Sequence, residues 1–251
     1  HGYYDSYCYL PLYTFCGDHL LSARLRPSNI DGAAGRLEEL ERIVGRIRAR
    51  WPKVLVRADS GFCRDWLMSW CEGQENVEFL LGLARNDGLV DRLEETLTVA
   101  RATSSALGRK VKLFDHFRWT TRSSWSRRRM VIGKAEVSPR GENPRFIVTS
   151  QPCRSKREAK RLYMKVYCAR GDMENRIKEQ QLDLFADGTS AHTLRANQMR
   201  LSFSSVAYVL VNATRRRALA GTDLARAQCG TIRNQLLKIG ARIRVTVRRI
   251  W

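Results

Sequence analysis

Apolar side chains occupy both alternating faces of residues 3–16, "YYDSYCYLPLYTFC", with Tyr7, Tyr9, Tyr13 and Phe15 on one face and Cys8, Leu10, Leu12 and Cys16 on the other. Such a run predicts a buried strand. Pro11 interrupts its ladder, and Gly17-Asp18 supplies a turn into "HLLSARLR", so a hairpin is expected. Further on the period lengthens. Leu37, Leu40, Val44 and Ile47 recur at spacings of three and four, which predicts an amphipathic helix over 36–50, capped by Asn29 or Asp31 and stopped at Trp51-Pro52. "KVLVRADSGF" then reads as a short buried strand, an acid and a Gly-containing turn, followed by the helix-like "CRDWLMSWCEG" and a second strand, "VEFLLGLARN". Helix and strand therefore alternate as in an α/β sheet.

Beyond a helix predicted at 91–100 the pattern changes. "KVKLFDHFRW", "RRRMVIGKAEV" and "PRFIVTS" are short strands between polar, arginine-rich turns, and they mark 109–150 as a β-rich insertion. From Ser155 the helical period returns and continues past Glu179, and another helix is expected over 191–214. The tail "ARIRVTVRRIW" alternates charged and apolar residues, as either an edge strand or a disordered basic end. The division that follows is 1–108, 109–150, 151–214 and a basic tail at 215–251.

Charge then narrows the partner. The 251 residues carry 45 Lys or Arg against 25 Asp or Glu, a formal net charge of +20, and residues 151–251 hold 21 basic against 7 acidic residues. A field of that sign points to a polyanion, with nucleic acid ahead of an anionic membrane surface. The apolar run at 201–211 falls short of the ~18–20 residues of a membrane span. Seven cysteines, without a C-x-x-C pair or a histidine at zinc-finger spacing, predict reduced and mostly packed thiols in a cytoplasmic protein. His19, His116 and His192 show no paired spacing and are expected to be ordinary polar residues.

Two acids stand out. Asp59 follows a buried strand and precedes Gly61 and Phe62, where α/β sheets present ligand-binding groups, although the same position suits a helix cap. In "YCARGDMENRIKEQQ" a uniform helix, at about 100° per residue, lines up Tyr167, Arg170, Glu174, Lys178 and Gln181 and turns Asp172 and Glu179 away. Glu174 between Arg170 and Lys178 fits an i,i+4 salt-bridge lattice. It also fits an inward-looking carboxylate that holds a divalent ion against a phosphodiester, and Gly171, a mid-helix residue costing roughly 0.8–1 kcal/mol against Ala, fits close approach of a backbone or substrate.

Together, "RADSGF" and "YCARGDMENRIKEQQLDLF" resemble the DDE transposases of bacterial insertion sequences, DDE group 1, most nearly insertion-sequence family thirteen-eighty. The second acidic motif of that family is an acid, one residue, Gly and an aromatic, met by Asp59, Gly61 and Phe62. Its third motif is Tyr, two residues, Arg, three residues, Glu, six residues and Lys, met by Tyr167, Arg170 and Glu174, with Gln181 in place of the lysine and Lys178, one turn earlier, as the substitute. The resemblance implies an RNase H-like mixed sheet with flanking helices and a β-rich insertion before the last catalytic helix. It implies Asp59 and Glu174 as ligands of Mg²⁺ or Mn²⁺, water-driven cleavage at element ends, and attack of the freed 3′-hydroxyl on target DNA. It also implies double-stranded DNA (element ends and target) as partner, a homodimer on that DNA, and a nucleoid-associated place in the bacterial cytoplasm. The first acid of the family lies just upstream of a segment like the one at His1, so a fragment lacking that acid is expected, and Asp5 is not at the motif position. A basic DNA-binding module without catalysis, or a metal-dependent nuclease on the same fold, are the alternatives.

The stretch "RWTTRSSWSRRRM" holds Arg118, Arg122, Arg127, Arg128 and Arg129 with Trp119 and Trp125, and of these Arg122, Arg127, Arg128, Arg129 and Trp125 are taken as candidate DNA contacts, arginines to phosphates and the ring to an unpaired base. A solvated hairpin with inward-packed tryptophans is the competing reading. No local Ser-His-Asp or Cys-His arrangement recommends a nucleophile.

Overall fold

The computed structural model describes residues 8–32 and 34–240, with the backbone of 245–246 and 249–250. Asp5, Tyr7 and most of the alternating tail lie outside the described residues. In chain order the elements are β1 (Leu12–Cys16), β2 (His19–Arg24), α1 (Arg36–Ile47), β3 (Val54–Ala58), α2 (Asp65–Gly73), β4 (Val77–Leu83) and α3 (Asp87–Leu107). They continue with β5 (Val111–Trp119), β6 (Arg129–Ser138), β7 (Gly141–Glu142), β8 (Arg145–Thr149), α4 (Lys156–Arg161), α5 (Gly171–Lys178), α6 (Leu194–Arg217), α7 (Cys229–Ile232), β9 (Val245–Thr246) and β10 (Arg249–Ile250). The chain forms two compact units, Ile30–Gly171 and a second built from His1–Asn29 with Asp172–Trp251.

The first of these units is a mixed sheet flanked by helices, the α/β class expected. Its strand order is β3-β4-β8-β6-β5, with β7 paired to β6. β3 and β4 are parallel, and β4-β8, β8-β6 and β6-β5 are antiparallel. The segment 109–150 supplies β5 to β8, and because β8 hydrogen-bonds β4 it continues this sheet. Side chains alternate between two layers, as the pleat requires. Phe79, Leu81, Val131, Ala135, Phe146 and Val148 pack with α1, α2 and α3. Leu80, Ile132 and Ile147 face Ala159, Leu162 and Tyr163 on the other side.

Local chemistry sets the helix ends. Asn86 Oδ1 accepts from Leu89 N at 2.9 Å at the start of α3, and Gly108, at φ 60, ends it in the left-handed conformation. α3 is twice as long as the helix expected at 91–100, because Asn86 starts it early and its Leu89-Leu93-Leu97-Ala100 stripe stays buried. Ser155 caps α4 by accepting from Glu158 N at 3.2 Å, and Glu158 reaches back to Arg154 N at 2.7 Å. The caps expected for α1 are corrected: its N-cap is Gly35, in the left-handed region at φ 70, while Asp31 pairs instead with Arg64 at 3.2 Å.

In the second unit the predicted hairpin is present, β1 against β2 around Gly17-Asp18. The Asp18 carbonyl accepts from Tyr208 Oη and Asn212 Nδ2, each at 3.0 Å, which ties the turn to α6. Tyr208, Val211, Cys229 and Ile232 form a core here, so residues 229 and 232, within the stretch read as a basic tail, are buried. Of that tail β9 and β10 form a short antiparallel pair. All seven cysteines are free; Cys71, Cys153 and Cys229 are buried, whereas Cys16 and Cys168 are exposed and correct the expectation of packed thiols for those two.

Glu136 on β6 is almost fully buried and accepts from Lys110 Nζ at 2.7 Å and Lys134 Nζ at 2.8 Å. Burial pushes its carboxyl pKa up, but the two lysines outweigh this and bring it down to about 2. A depressed folded-state value means stability that is present above the unfolded value near 4.5 and lost as pH falls toward 2. The difference in melting temperature between the wild type and Glu136→Gln should therefore be constant above about pH 5 and close between pH 4.5 and 2. A difference that does not change with pH contradicts this role.

Candidate metal and DNA site

Asp59 occupies the first position after β3, at the carboxyl edge of the parallel pair. Because Ala58 is level with Leu81, Asp59 falls beside Gly82 of β4. Its Oδ1 accepts from Gly61 N at 3.0 Å and caps the 3₁₀ turn Ser60–Phe62, so the capping reading holds. The side chain is nonetheless exposed, and Oδ2 takes no hydrogen bond from the described residues. Phe62 packs against the core and anchors the turn.

Gly82 explains how a second predicted residue reaches this place. A Cβ there would lie 2.6 Å from Tyr167 Oη, 2.7 Å from Ser60 N and 3.1 Å from the Asp59 carbonyl carbon. The phenol of Tyr167 thus sits in the space a side chain at 82 would fill, directly by the Asp59 turn. Its ring packs on Tyr163 at 5.6 Å, and the Arg170 guanidinium lies 5.8 Å from its centroid. Burial raises the Tyr167 pKa, Arg170 opposes the rise and the Asp59 charge adds to it, so the phenol stays protonated at neutral pH and can donate. Arg57 Nη1 donates to Val166 O at 2.7 Å and ties β3 to the segment that carries Tyr167.

The helical stretch from α4 onward is not uniform. A π-helical turn covers Leu162–Tyr167, a 3₁₀ turn Cys168–Arg170 and a second π turn Glu179–Asp183, so one 100° wheel does not describe residues 167–181. Glu174 and Lys178, on α5, are exposed and belong to the second unit. The inward-looking acid is Glu179, which corrects the reading of Glu174 as facing inward. Glu179 bonds Arg215 at 2.8 Å, Arg176 at 2.7 Å and Cys229 N at 3.0 Å. Burial acts to raise its pKa, and these donors hold it below the usual carboxylate range.

The arginine-rich loop lies elsewhere. β6 runs parallel to β4, since each is antiparallel to β8, so the loop before Arg129 lies at the edge where β3 and β4 begin, away from Asp59. Arg129 is a correction: it is 2% exposed, donating to Glu72 Oε1 and Oε2 at 2.8 and 2.9 Å, Asp65 at 2.6 Å and Ser69 at 3.0 Å, and it has no face left for phosphate. Trp125 is half-buried against the core, 5.6 Å from the Arg129 guanidinium, which favours the inward-packed reading for its ring. Arg122, Arg127 and Arg128 are exposed. The spacing of Asp65, Ser69 and Glu72 on one face of α2 was the available signal for Arg129's role.

The family model of the transposase DDE domain, group 1, matches residues 1–251. The chain belongs to this family. No curated protein matches it. Members of this family of transposases act on DNA, and no helix among the described residues is long and apolar enough to cross a membrane. The described residues contain no group of three His, Cys, Asp or Glu placed to hold a metal. Asp59 nevertheless fits a hard divalent ion as one ligand of a set: an exposed carboxylate with one oxygen spent on the turn and the other available, at a strand end.

Gly82→Ala should cost about 1–3 kcal/mol in urea denaturation, as for an overpacked core. Adding Tyr167→Phe should recover only part of the loss, because the backbone nitrogen of Ser60 still blocks the new methyl. Wild-type stability for Gly82→Ala contradicts the packing described.

Proposed function

We propose that this chain is a DDE transposase of the insertion-sequence family thirteen-eighty type, and that Asp59 and Glu174 are metal-binding carboxylates for cleavage at element ends and strand transfer into target DNA. The observation that supports it best is the exposed Asp59 carboxylate at the strand end with the Tyr167 phenol beside it, within a chain of net charge +20. The first acid of the family pattern is left unassigned. Bound Mg²⁺ or Mn²⁺ would supply electrophilic stabilisation of the phosphoryl oxygens. Asp59 holds its share of that charge with one carboxylate oxygen while the other keeps the turn folded. Tyr167, kept protonated, packs against the turn that carries Asp59. Arg170 neutralises a phosphate near Tyr167, and Lys178 takes the DNA contact that the family gives to the lysine replaced here by Gln181. Arg122, Arg127 and Arg128 are contacts to double-stranded DNA farther along, and a homodimer on that DNA is part of the proposal. The division at 108, 150 and 214 belongs to it as well.

Asp59→Ala and Glu174→Ala should each reduce Mg²⁺-dependent cleavage of labelled element ends below detection while leaving salt-sensitive duplex binding in place. Full turnover by either variant overturns the assignment. Duplex binding by a wild-type chain with no turnover under any divalent ion supports a binding module instead.

A further inference from the structure

We propose that a cleft at the amino edge of β3 and β4 is a second phosphodiester site, formed by Arg118, Arg127 and Arg128, that grips duplex DNA away from the bond to be cleaved. The inference rests on the reading of DNA as the ligand and adds where, and through which groups, the duplex is held.

The cleft has a volume of about 480 Å³, and these three arginines share it with Glu72, Glu78 and Gln151. Its two carboxylates are already engaged. Both oxygens of Glu72 accept from one edge of the Arg129 guanidinium, Nε and Nη2, and Glu78 accepts from Gln151 Nε2 at 2.6 Å. The side chains of Arg118 and Arg128 are exposed and make no hydrogen bond or ion pair with the described residues, and that of Arg127 has only a 3.5 Å approach to Glu72. Three arginines thus line one cavity, two of them without an ion-pair partner among the described residues, and the planar fork of arginine suits phosphate oxygens.

The loop is also held in place before any ligand arrives. Asp65 Oδ1 accepts from Ser126 N at 2.9 Å and from Ser126 Oγ at 3.1 Å, and Arg129 bonds along α2. Burial tends to raise the Asp65 pKa, and Ser126 and Arg129 hold it below its ordinary value, so the anchor is ionised at neutral pH. A solvated charge cluster kept only for solubility would not need a buried arginine to fix the loop that carries it. Through the paired registers Arg118 is level with Arg57, and the four strand spacings from β3 to β5 separate it from the Asp59 strand by roughly 19 Å across the sheet, so the phosphates gripped here belong to a different part of the duplex from the one beside Asp59.

The test is the salt dependence of duplex binding, read by fluorescence anisotropy without divalent metal. Each phosphate contact contributes about 0.9 to the slope of log K against log salt. Arg118→Ala with Arg128→Ala should lower that slope by about 1.8, while Arg118→Lys with Arg128→Lys, which keeps both charges, should stay near the wild type. Arg140→Ala, on the β6–β7 turn, is the control for loss of general surface charge. An unchanged slope in the double alanine variant, or a fall no larger than twice that of Arg140→Ala, overturns the proposal. Because neither metal nor turnover enters the measurement, its outcome is independent of whether Asp59 and Glu174 catalyse.

Discussion

The parallel pairing of β3 with β4 sets what the remainder of this unit can do. Register alone brings Asp59 level with Gly82, and the missing side chain at 82 leaves room for a phenol to lie against the turn after β3. Neither feature is costly by itself: a parallel strand of five residues is ordinary, and glycine inside a strand weakens it only modestly. Together they place a carboxylate and a protonated Tyr167 at one strand end, with Arg57 tying β3 to the segment before Tyr167. A side chain at position 82 would meet backbone as well as the phenol, so this corner cannot be relaxed by moving one rotamer.

The same economy governs charge. A chain of +20 has few acids, and several are used inside. Glu72 and Asp65 satisfy Arg129, Glu136 satisfies two lysines, and Glu179 satisfies Arg176 and Arg215. Each of these acids is matched by donors, as burial of charge demands, and the surface arginines Arg118 and Arg128 have no ion-pair partner among the described residues. Fold stability and attraction for a polyanion therefore share these charges: the acids that hold Arg129, Arg176, Arg215, Lys110 and Lys134 do not offset the excess of basic groups elsewhere on the surface.

Much of this was readable from the residues. Alternation and β-branched runs gave the hairpin, β3, β4 and the strands of 109–150, and the acid-Gly-aromatic spacing at 59–62 pointed to the turn after β3. What failed had physical causes. A helical wheel assumes one pitch, whereas residues 162–183 pass through π, 3₁₀ and α turns, so the inward acid is Glu179 and Glu174 is exposed. In a run of three arginines nothing local marks Arg129, whose partners lie 57 to 64 positions away. The caps expected at Asn29 and Asp31 gave way to a left-handed Gly35, since a glycine there enters the helix without a side-chain acceptor. Gly82 carried no signal in sequence at all, because its role exists only once β4 and the segment bearing Tyr167 have come together.

The proposed binding of one divalent ion by the carboxylates of residues 59 and 174 is tested most directly by replacing Mg²⁺ with Fe²⁺ and generating hydroxyl radicals with ascorbate and peroxide. Radicals formed at a bound iron cut the polypeptide close to its ligands. Two sets of metal-dependent cuts are expected, around Asp59 and around Glu174, both suppressed by excess Mg²⁺ and both lost in Asp59→Ala. Cuts at one position without the other, or cuts that survive the loss of Asp59, contradict it.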